Sequence, residues 1–216
     1  MLTASALRLL PLAGLVAFPG TEILLSVGAS AGVNDGDTVG LVHRRCDGRL
    51  ESVGTLATAT VRDADVDGSR VISCAATSRF RIVELLDRGN EGAPMPLTAR
   101  RFEPHEDELA DDAEAHELCD SVRRRVRELV ELNARVEGGV ASGAEAPPPS
   151  ESMSAKAPAA FSLALAGAVE HESLADAQAL LESTDTTERL RALHAALEDA
   201  ARFTSTQALL QQLSLG

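Results

Sequence analysis

The chain has 216 residues, of which 44% are apolar, and a formal net charge of −13 at neutral pH. This length can bury a sizeable core, whereas so acidic a surface repels phosphate backbones and argues against nucleic-acid binding. Tryptophan and tyrosine are absent, which argues against base-stacking platforms and aromatic cages. No apolar run approaches the roughly 18 residues that span a bilayer, so no membrane partner is expected.

Three cysteines, Cys46, Cys74 and Cys119, form an odd and widely spaced set. Such a set does not predict a disulfide framework, so we expect an intracellular, reducing compartment: the cytoplasm, or the lumen or stroma of an organelle. The N-terminus faintly resembles a signal peptide, but Pro11, Pro19 and two glycines interrupt its apolar stretch. A strand followed by a turn fits this sequence better.

The first hundred residues have the pattern of short strands separated by Gly and Asp turns. The predicted strands are LRLLPL (7–12), TEILLSV (21–27), DTVGLVH (37–43), ESVGTLATATV (51–61), SRVISCAA (69–76) and RFRIVELL (79–86). They predict a compact β-rich subdomain over residues 1–103, built of small mixed or antiparallel sheets or barrel-like.

The stretch DADVDG opens like a calcium-binding EF-hand loop, with Asp63, Asp65 and Asp67 at alternate positions. An EF-hand loop is flanked by helices and has a bidentate Glu at its twelfth position. Here both flanks have strand-type sequence, and the twelfth position is Cys74. The Asp-Gly pair at the end of the stretch therefore predicts a type I′ hairpin turn and no metal site.

Beyond residue 103 the apolar spacing becomes helical. A charged connecting helix is predicted over 104–136, with acidic residues first and arginines later, an order that suits the helix macrodipole. The segment 137–158 is rich in Gly, Ala, Pro and Ser. This composition has little to bury, so we expect a flexible loop.

A helical lobe is predicted over 159–216, which makes the fold class α+β. Its first segments are 159–170 and 173–183, with Ser173 as the N-cap of the second. A third helix begins at Asp185, with a glutamate three positions later as in a capping box. The last residues either continue that helix or follow it.

No motif for catalysis or for a cofactor is present. The sequence lacks the Gly-rich loops that hold phosphates, the C-x-x-C and H-E-x-x-H metal motifs and the G-x-S-x-G nucleophile elbow. His116 and Cys119 lie one helical turn apart, but no cluster supplies the two further ligands of a zinc site. We therefore expect no catalytic residue, no cofactor and no metal.

Four stretches, in order, resemble the N-terminal, substrate-binding domain of Lon proteases. The first holds Leu-Pro-Leu at 10–12 and Phe-Pro-Gly at 18–20, and the second Val-Gly-Thr at 53–55, an Asp-Gly hairpin and Arg-Phe-Arg-Ile at 79–82. The third holds Gln178, Leu180, Leu181, Glu182 and the Glu-Arg-Leu at 188–190. The charged helix matches only in type.

The sequence also departs from the family pattern. The segment between the second and third strands is short where the family usually has a helix, and AATS stands where a Gly often precedes Arg-Phe-Arg-Ile. The chain ends at Gly216, without the ATPase and Ser-Lys protease modules of full Lon. The resemblance thus implies a stand-alone domain that does not hydrolyse peptides.

The resemblance implies a non-catalytic protein-binding module for polypeptide clients or a protein partner. The apolar residues Leu24, Leu25 and Val27 and the strand around Phe80 are near predicted sheet edges, so we expect the binding surface there. The alternative is a structural or adaptor subunit of a larger complex, the use that cereblon makes of a similar domain. A hydrolase has less support because no nucleophile–base pair is visible. The oligomeric state is left open.

Overall fold

The computed structural model describes residues 6–64, 68–86, 97–108, 113–137 and 157–214. The strands are β1 (Leu7–Ala13), β2 (Glu22–Val27), β3 (Thr38–Arg44), β4 (Val53–Ala64), β5 (Arg70–Leu85) and β6 (Thr98–Pro104). A short 3₁₀ helix (Ala29–Ala31) follows β2. The longer helices are α1 (Ala113–Glu137), α2 (Pro158–Ala166), α3 (Leu174–Glu182) and α4 (Thr186–Ser214).

The six strands form one mixed sheet in the order β2-β5-β4-β3-β1-β6, and β6 also pairs with β5. β1 runs parallel to β3, and the other described pairs are antiparallel. Because β6 joins both β1 and β5, five strands close into a ring, while β2 is attached outside it to the first half of β5. The predicted α+β fold with a barrel-like mixed sheet is confirmed.

One strand of the ring, β6, was not predicted. Its sequence, TARRFEP, includes two exposed arginines, Arg100 and Arg101, and only Ala99 is buried. Its partners on β1 lie far from it in the chain, and its ladder with β5 is irregular, with register shifts on both sides of Glu84. Local alternation therefore carries little information about this strand.

The strands predicted at 69–76 and 79–86 are a single strand of 16 residues, β5. The small polar run between them favours a break, but it contains a β-bulge instead, because Thr77 has no partner in the β4 register. The Thr77 hydroxyl donates a hydrogen bond to Leu56 O at 3.1 Å. Since side chains alternate along a strand, one extra residue turns every later side chain to the opposite face.

The bulge allows β5 to contribute to two cores on opposite faces of the sheet. The open core, as we name it, contains Leu10, Leu12, Ala17, Val33, Val39, Leu41, Ala57, Ala59, Ile72 and Cys74, with Ile23, Leu25 and Val27 of β2 packed on it. The closed core contains Leu7, Leu9, Val42, Phe80 and Ala99. Buried residues on both faces explain why β3 is almost continuously apolar.

Two glycines allow the closed core to pack tightly. A β-carbon on Gly54 would lie 2.5 Å from Leu41 O, and one on Gly40 would lie 2.7 Å from both Leu9 and the Phe80 ring. Neither position has room for a side chain. Gly54 belongs to the Val-Gly-Thr stretch, so close packing explains why that motif has a glycine at this position.

Both predicted helix caps are confirmed. The Ser173 side chain accepts a hydrogen bond from Asp176 N at 3.1 Å at the start of α3. Asp185 Oδ1 accepts from Thr187 N at 2.8 Å and from Glu188 N at 3.0 Å at the start of α4. The last residues continue α4, which runs to Ser214.

The described chain divides into two compact units, residues 1–106 with 163–184, and residues 107–162 with 185–216. In the second unit α1 packs against α4, and Arg189 is fully buried. Its guanidinium makes two hydrogen bonds to the Asp107 carboxylate, at 2.7 and 2.9 Å. This bidentate pair compensates the buried charge.

The division predicted from the sequence, at residues 103, 136 and 158, stays a prediction. Most of the segment expected to be a flexible loop, 138–156, lies outside the described residues, as do Asp65 and Asp67 of the DADVDG stretch. The prediction that strands flank this stretch is confirmed, because Ala64 of β4 pairs with Arg70 of β5.

Candidate functional site

The four residues of the predicted binding surface occupy two separate places. Leu24 lies on the outer face of β2 and is 68% exposed. Leu25 and Val27 are half-buried and pack on the open core. Phe80 is fully buried in the closed core, so its side chain is not part of any exposed surface. The bulge at Thr77 determines which face Phe80 occupies, and strand alternation alone does not reveal it.

β2 is an edge strand. Within the described residues it pairs with β5 and with no other strand. Ala76 N donates to Thr21 O at 2.9 Å, just before β2 begins. Because an antiparallel ladder alternates, odd-numbered residues of β2 direct their backbone groups to β5, whereas Leu24 and Ser26 direct theirs to the free edge.

An apolar cavity of about 210 Å³ opens beside this edge. Its lining residues are Leu10, Pro11 and Leu12 of β1, Leu25, Ser26 and Val27 of β2, and Gly28 and Ala31. β3, which pairs with β1, and β5, which pairs with β2, contribute no lining residue. The cavity therefore lies between β2 and β1, beside Leu10–Leu12 and Leu25–Val27, whose outer edges have no partner strand within the described residues.

The outer face of β2 also has a negative charge. Glu22 accepts hydrogen bonds from the Ser73 hydroxyl and from Arg62 Nη2, the latter at 3.1 Å. The hydrogen bond from Ser73, and to a smaller extent that from Arg62, holds the pKa of Glu22 below its usual range. Glu22 is thus ionised at neutral pH, two positions before the exposed Leu24.

A larger cleft of about 920 Å³ lies between the β3–β4 hairpin and α3. Its wall contains polar groups that bond to one another: Gln178 Nε2 donates to Val53 O at 3.1 Å and to Glu182 Oε1 at 2.9 Å. Since both bonds use the amide nitrogen, Gln178 Oε1 remains as an acceptor, and it is buried without a hydrogen-bond partner.

A second cleft, of about 450 Å³, adjoins the first and shares Gly14 and Leu174 with it. Phe18 stacks on His171 in its wall, with ring centroids 5.8 Å apart. Leu15 and Leu174 are 40% and 41% exposed at its rim. The sequence does not predict these clefts, because their residues come from separate stretches whose local patterns indicate only strand, turn and helix.

The C-terminus of α3 is held by residues of the barrel. Arg79 Nη1 donates to Leu181 O at 2.8 Å and to Ser183 O at 2.6 Å. His105 Nε2 donates to Glu182 O at 2.7 Å. These donors satisfy carbonyls that a helix end leaves unpaired, and a cation suits that end of the helix dipole. In the Arg-Phe-Arg-Ile stretch, Arg79 therefore hydrogen-bonds to the end of α3, and Phe80 packs in the closed core.

The remaining candidate residues lie apart from one another or differ in burial. His116 is exposed, whereas Cys119 is buried, and the described residues contain no group of three or more His, Cys, Asp or Glu side chains placed to hold a metal ion. Burial raises the pKa of the Cys74 and Cys119 thiols, while Cys46 is exposed. None of the described helices combines the length and apolar character needed to cross a membrane.

Comparison with known proteins identifies the family. The model of the ATP-dependent protease La (Lon) substrate-binding domain matches residues 6–199. The N-terminal domain of Mycobacterium avium complex Lon protease is similar, at 19% identity and a TM-score of 0.64, with 90% of this chain and 99% of that chain covered. A Lon N-terminal domain protein from Xanthomonas campestris is similar at 22% identity and a TM-score of 0.55, with 88% and 98% covered.

At these low sequence identities, the likeness to solved structures establishes the fold and nothing about function. No match was found among curated proteins. The family model covers most of the chain, including the ring of strands, α3 and the first half of α4. The protein therefore belongs to the Lon substrate-binding domain family.

Proposed function

We propose that the protein is a non-catalytic module that binds polypeptide segments, and that its binding surface is the free edge of β2 with Leu24, Leu25 and Val27. The observation that carries this proposal is a strand edge that combines a 68% exposed leucine with an adjoining apolar cavity. Family membership supports the same class of ligand.

The energetics of Leu24 favour an intermolecular role. Among the described residues of the first unit, its side chain is the most exposed large apolar one. Burial of such a side chain against a ligand contributes about 1.5–3 kcal/mol. Because this contribution comes from apolar area, binding should depend weakly on salt.

The α3 clefts are the competing surface. They are larger, but the wall of the bigger cleft holds ionic and amide groups that are already bonded to one another, such as Arg45 with Glu51 at 3.6 Å. A ligand there would have to displace or match these bonds. The β2 edge has free backbone groups and apolar lining together, which suits a polypeptide of varied sequence.

The proposal is tested by fluorescence anisotropy with a labelled, reduced and alkylated model protein that cannot fold, at low and high salt and with and without ATP. Binding should be independent of ATP and should leave the labelled chain intact. Leu24→Ser should weaken binding about tenfold, equivalent to about 1.4 kcal/mol. Leu174→Ser, which changes an exposed leucine at the α3 clefts, is the matched control and should bind like the wild type.

The opposite pattern, with Leu174→Ser impaired and Leu24→Ser unaffected, would move the site to the α3 clefts. Absence of binding to any unfolded chain, together with tight binding to one folded partner, would replace the client-binding function with the adaptor function. Cleavage that persists through repurification would contradict both.

A further inference from the structure

We infer that the bound polypeptide adds as a β-strand to the edge of β2 that has no partner strand among the described residues, on the side that faces β1. This inference rests on the proposed function and specifies its ligand class: an extended segment with apolar side chains toward the cavity and, on the other face, side chains such as Thr or Arg, whose methyl or methylene groups cover Leu24. Its apolar side chains enter the cavity beside Leu25 and Val27, and its backbone bonds to Leu24 and Ser26.

The backbone of β2 specifies an extended chain. The N–H and C=O groups of Leu24 and Ser26 face the free edge, and no bond to them occurs within the described residues. Such a row of alternating donors and acceptors is complementary to another strand. β2 also lacks the usual protection of an edge, since it has no proline, lysine or bulge in its pairing with β5.

The cavity fits alternate side chains of the added strand. An apolar cavity of about 150 Å³ holds a benzene ring, so the cavity of about 210 Å³ beside β2 accommodates a large apolar side chain. The far wall is β1, whose second edge bonds, within the described residues, to residues 97–99 near Leu7, Arg8 and Leu9. Pro11 has no N–H, so the backbone of β1 offers less to a ligand than that of β2.

Charge has a smaller effect on the other face of the ligand. Side chains of the added strand that point outward would lie beside Glu22 and Leu24, whose partner strand is β5. Arg62 Nη2 already lies 3.1 Å from the Glu22 carboxylate, so a basic side chain of the ligand would share this carboxylate and add little, as exposed ion pairs do. With a net charge of −13, the protein also attracts basic segments by long-range steering.

The ligand arm of the test uses a synthetic peptide that alternates Val with Arg or Thr. The peptide has about ten residues, the length of a long β-strand. Two further versions are N-methylated, one at every Val and the other at every Arg and Thr. An added strand presents only alternate N–H groups to β2. One methylated peptide should therefore lose at least about tenfold in affinity, equivalent to about 1.4 kcal/mol, and the other should bind like the parent.

The protein arm uses Ser26→Pro, with Leu174→Pro as its matched control. Proline removes an N–H that points to the free edge and is not used by β5, and its ring obstructs a neighbouring strand. Leu174 is the first residue of α3, a position where proline is tolerated. Ser26→Pro should bind the peptide at least about tenfold more weakly, and Leu174→Pro should bind like the wild type. Urea denaturation verifies that both variants are folded, and the peptide arm remains decisive if Ser26→Pro is not.

The outcomes separate the two proposals. Equal affinities of the two methylated peptides, whether retained or lost, would overturn strand addition, and so would unimpaired binding by a folded Ser26→Pro variant. If the unfolded model protein still bound in those cases, the proposed function would stand without this inference. If neither that protein nor the parent peptide bound, the proposed function itself would fail.

Discussion

The two cores lie on opposite faces of one sheet. They differ in whether the strands around them are hydrogen-bonded along both edges. Around the closed core, β6 bonds to both β1 and β5, and Val42 and Phe80 are fully buried. Around the open core, β2 has a partner strand on one side only within the described part of the chain, and Leu25 and Val27 remain half-exposed. The same strands therefore supply stability where the ring closes and, under the proposed function, the ligand surface where it does not.

The largest expected effect is in the closed core. Phe80→Ala should lower the free energy of unfolding by about 3–5 kcal/mol, because it leaves a cavity against Gly40 and Gly54. Leu25→Ala in the open core should cost about 1–2 kcal/mol, since less of its area leaves water on folding. Urea denaturation measures both, and equal losses would mean that the cores do not differ in closure.

The next effect is at the junction of the barrel with α3. Arg79→Met keeps the apolar stem but removes the donors to Leu181 O and Ser183 O. Loss of hydrogen bonds from a charged donor to buried carbonyls should cost about 2–3 kcal/mol. Arg101→Met is the control, because Arg101 is exposed on β6, and its urea midpoint should fall by less. The reverse order would refute the role given to Arg79.

A smaller effect should appear at alkaline pH. Burial raises the pKa of the Cys74 thiol in the open core, so folding favours its neutral form. As the pH rises through the ordinary thiol pKa of about 8.5, the unfolded state ionises first and stability is lost. The loss is up to about 1.4 kcal/mol for each unit by which burial raises the pKa.

This pH effect is measured from urea midpoints at pH 7 and 9.5. The chain has no tyrosine, and Lys156 is its single lysine, so few other side chains titrate in this range. Cys74→Ala should reduce the dependence on pH, whereas Cys46→Ala, at an exposed position, should leave it unchanged. An identical pH dependence in both variants would show that Cys74 ionises in the folded state as readily as in the unfolded state.

The smallest expected change in stability is at Leu24. Because its side chain is 68% exposed, Leu24→Ser should shift the free energy of unfolding by less than about 0.5 kcal/mol. The same substitution should weaken polypeptide binding. A large loss of stability would place Leu24 in the fold and weaken the separation between the two cores.

Much of this fold could be predicted from local sequence patterns. The alternating and apolar stretches of β1 to β4 and the caps at Ser173 and Asp185 depend on neighbours in the chain, so the sequence reveals them. The order of the motifs was enough to indicate the family.

The rest depends on long-range pairing. A bulge at Thr77 is defined by the register between two strands, and nothing local says that Phe80 and Ile72 face different cores. The arginines of β6 conceal a strand that closes the ring. The clefts beside α3 likewise combine distant segments. Sequence reasoning therefore located β2 near an edge but could not say which of its residues face that edge.

The most direct test of the account is residue-resolved amide hydrogen exchange of β2, with and without a saturating unfolded polypeptide. In the free protein the amides of Leu24 and Ser26 should exchange faster than those of Ile23 and Leu25, which donate to β5. On binding, the two edge amides should slow by at least about tenfold, equivalent to about 1.4 kcal/mol of protection. Unchanged exchange at Leu24 and Ser26 in the saturated complex would contradict the claim that the free edge of β2 binds polypeptide.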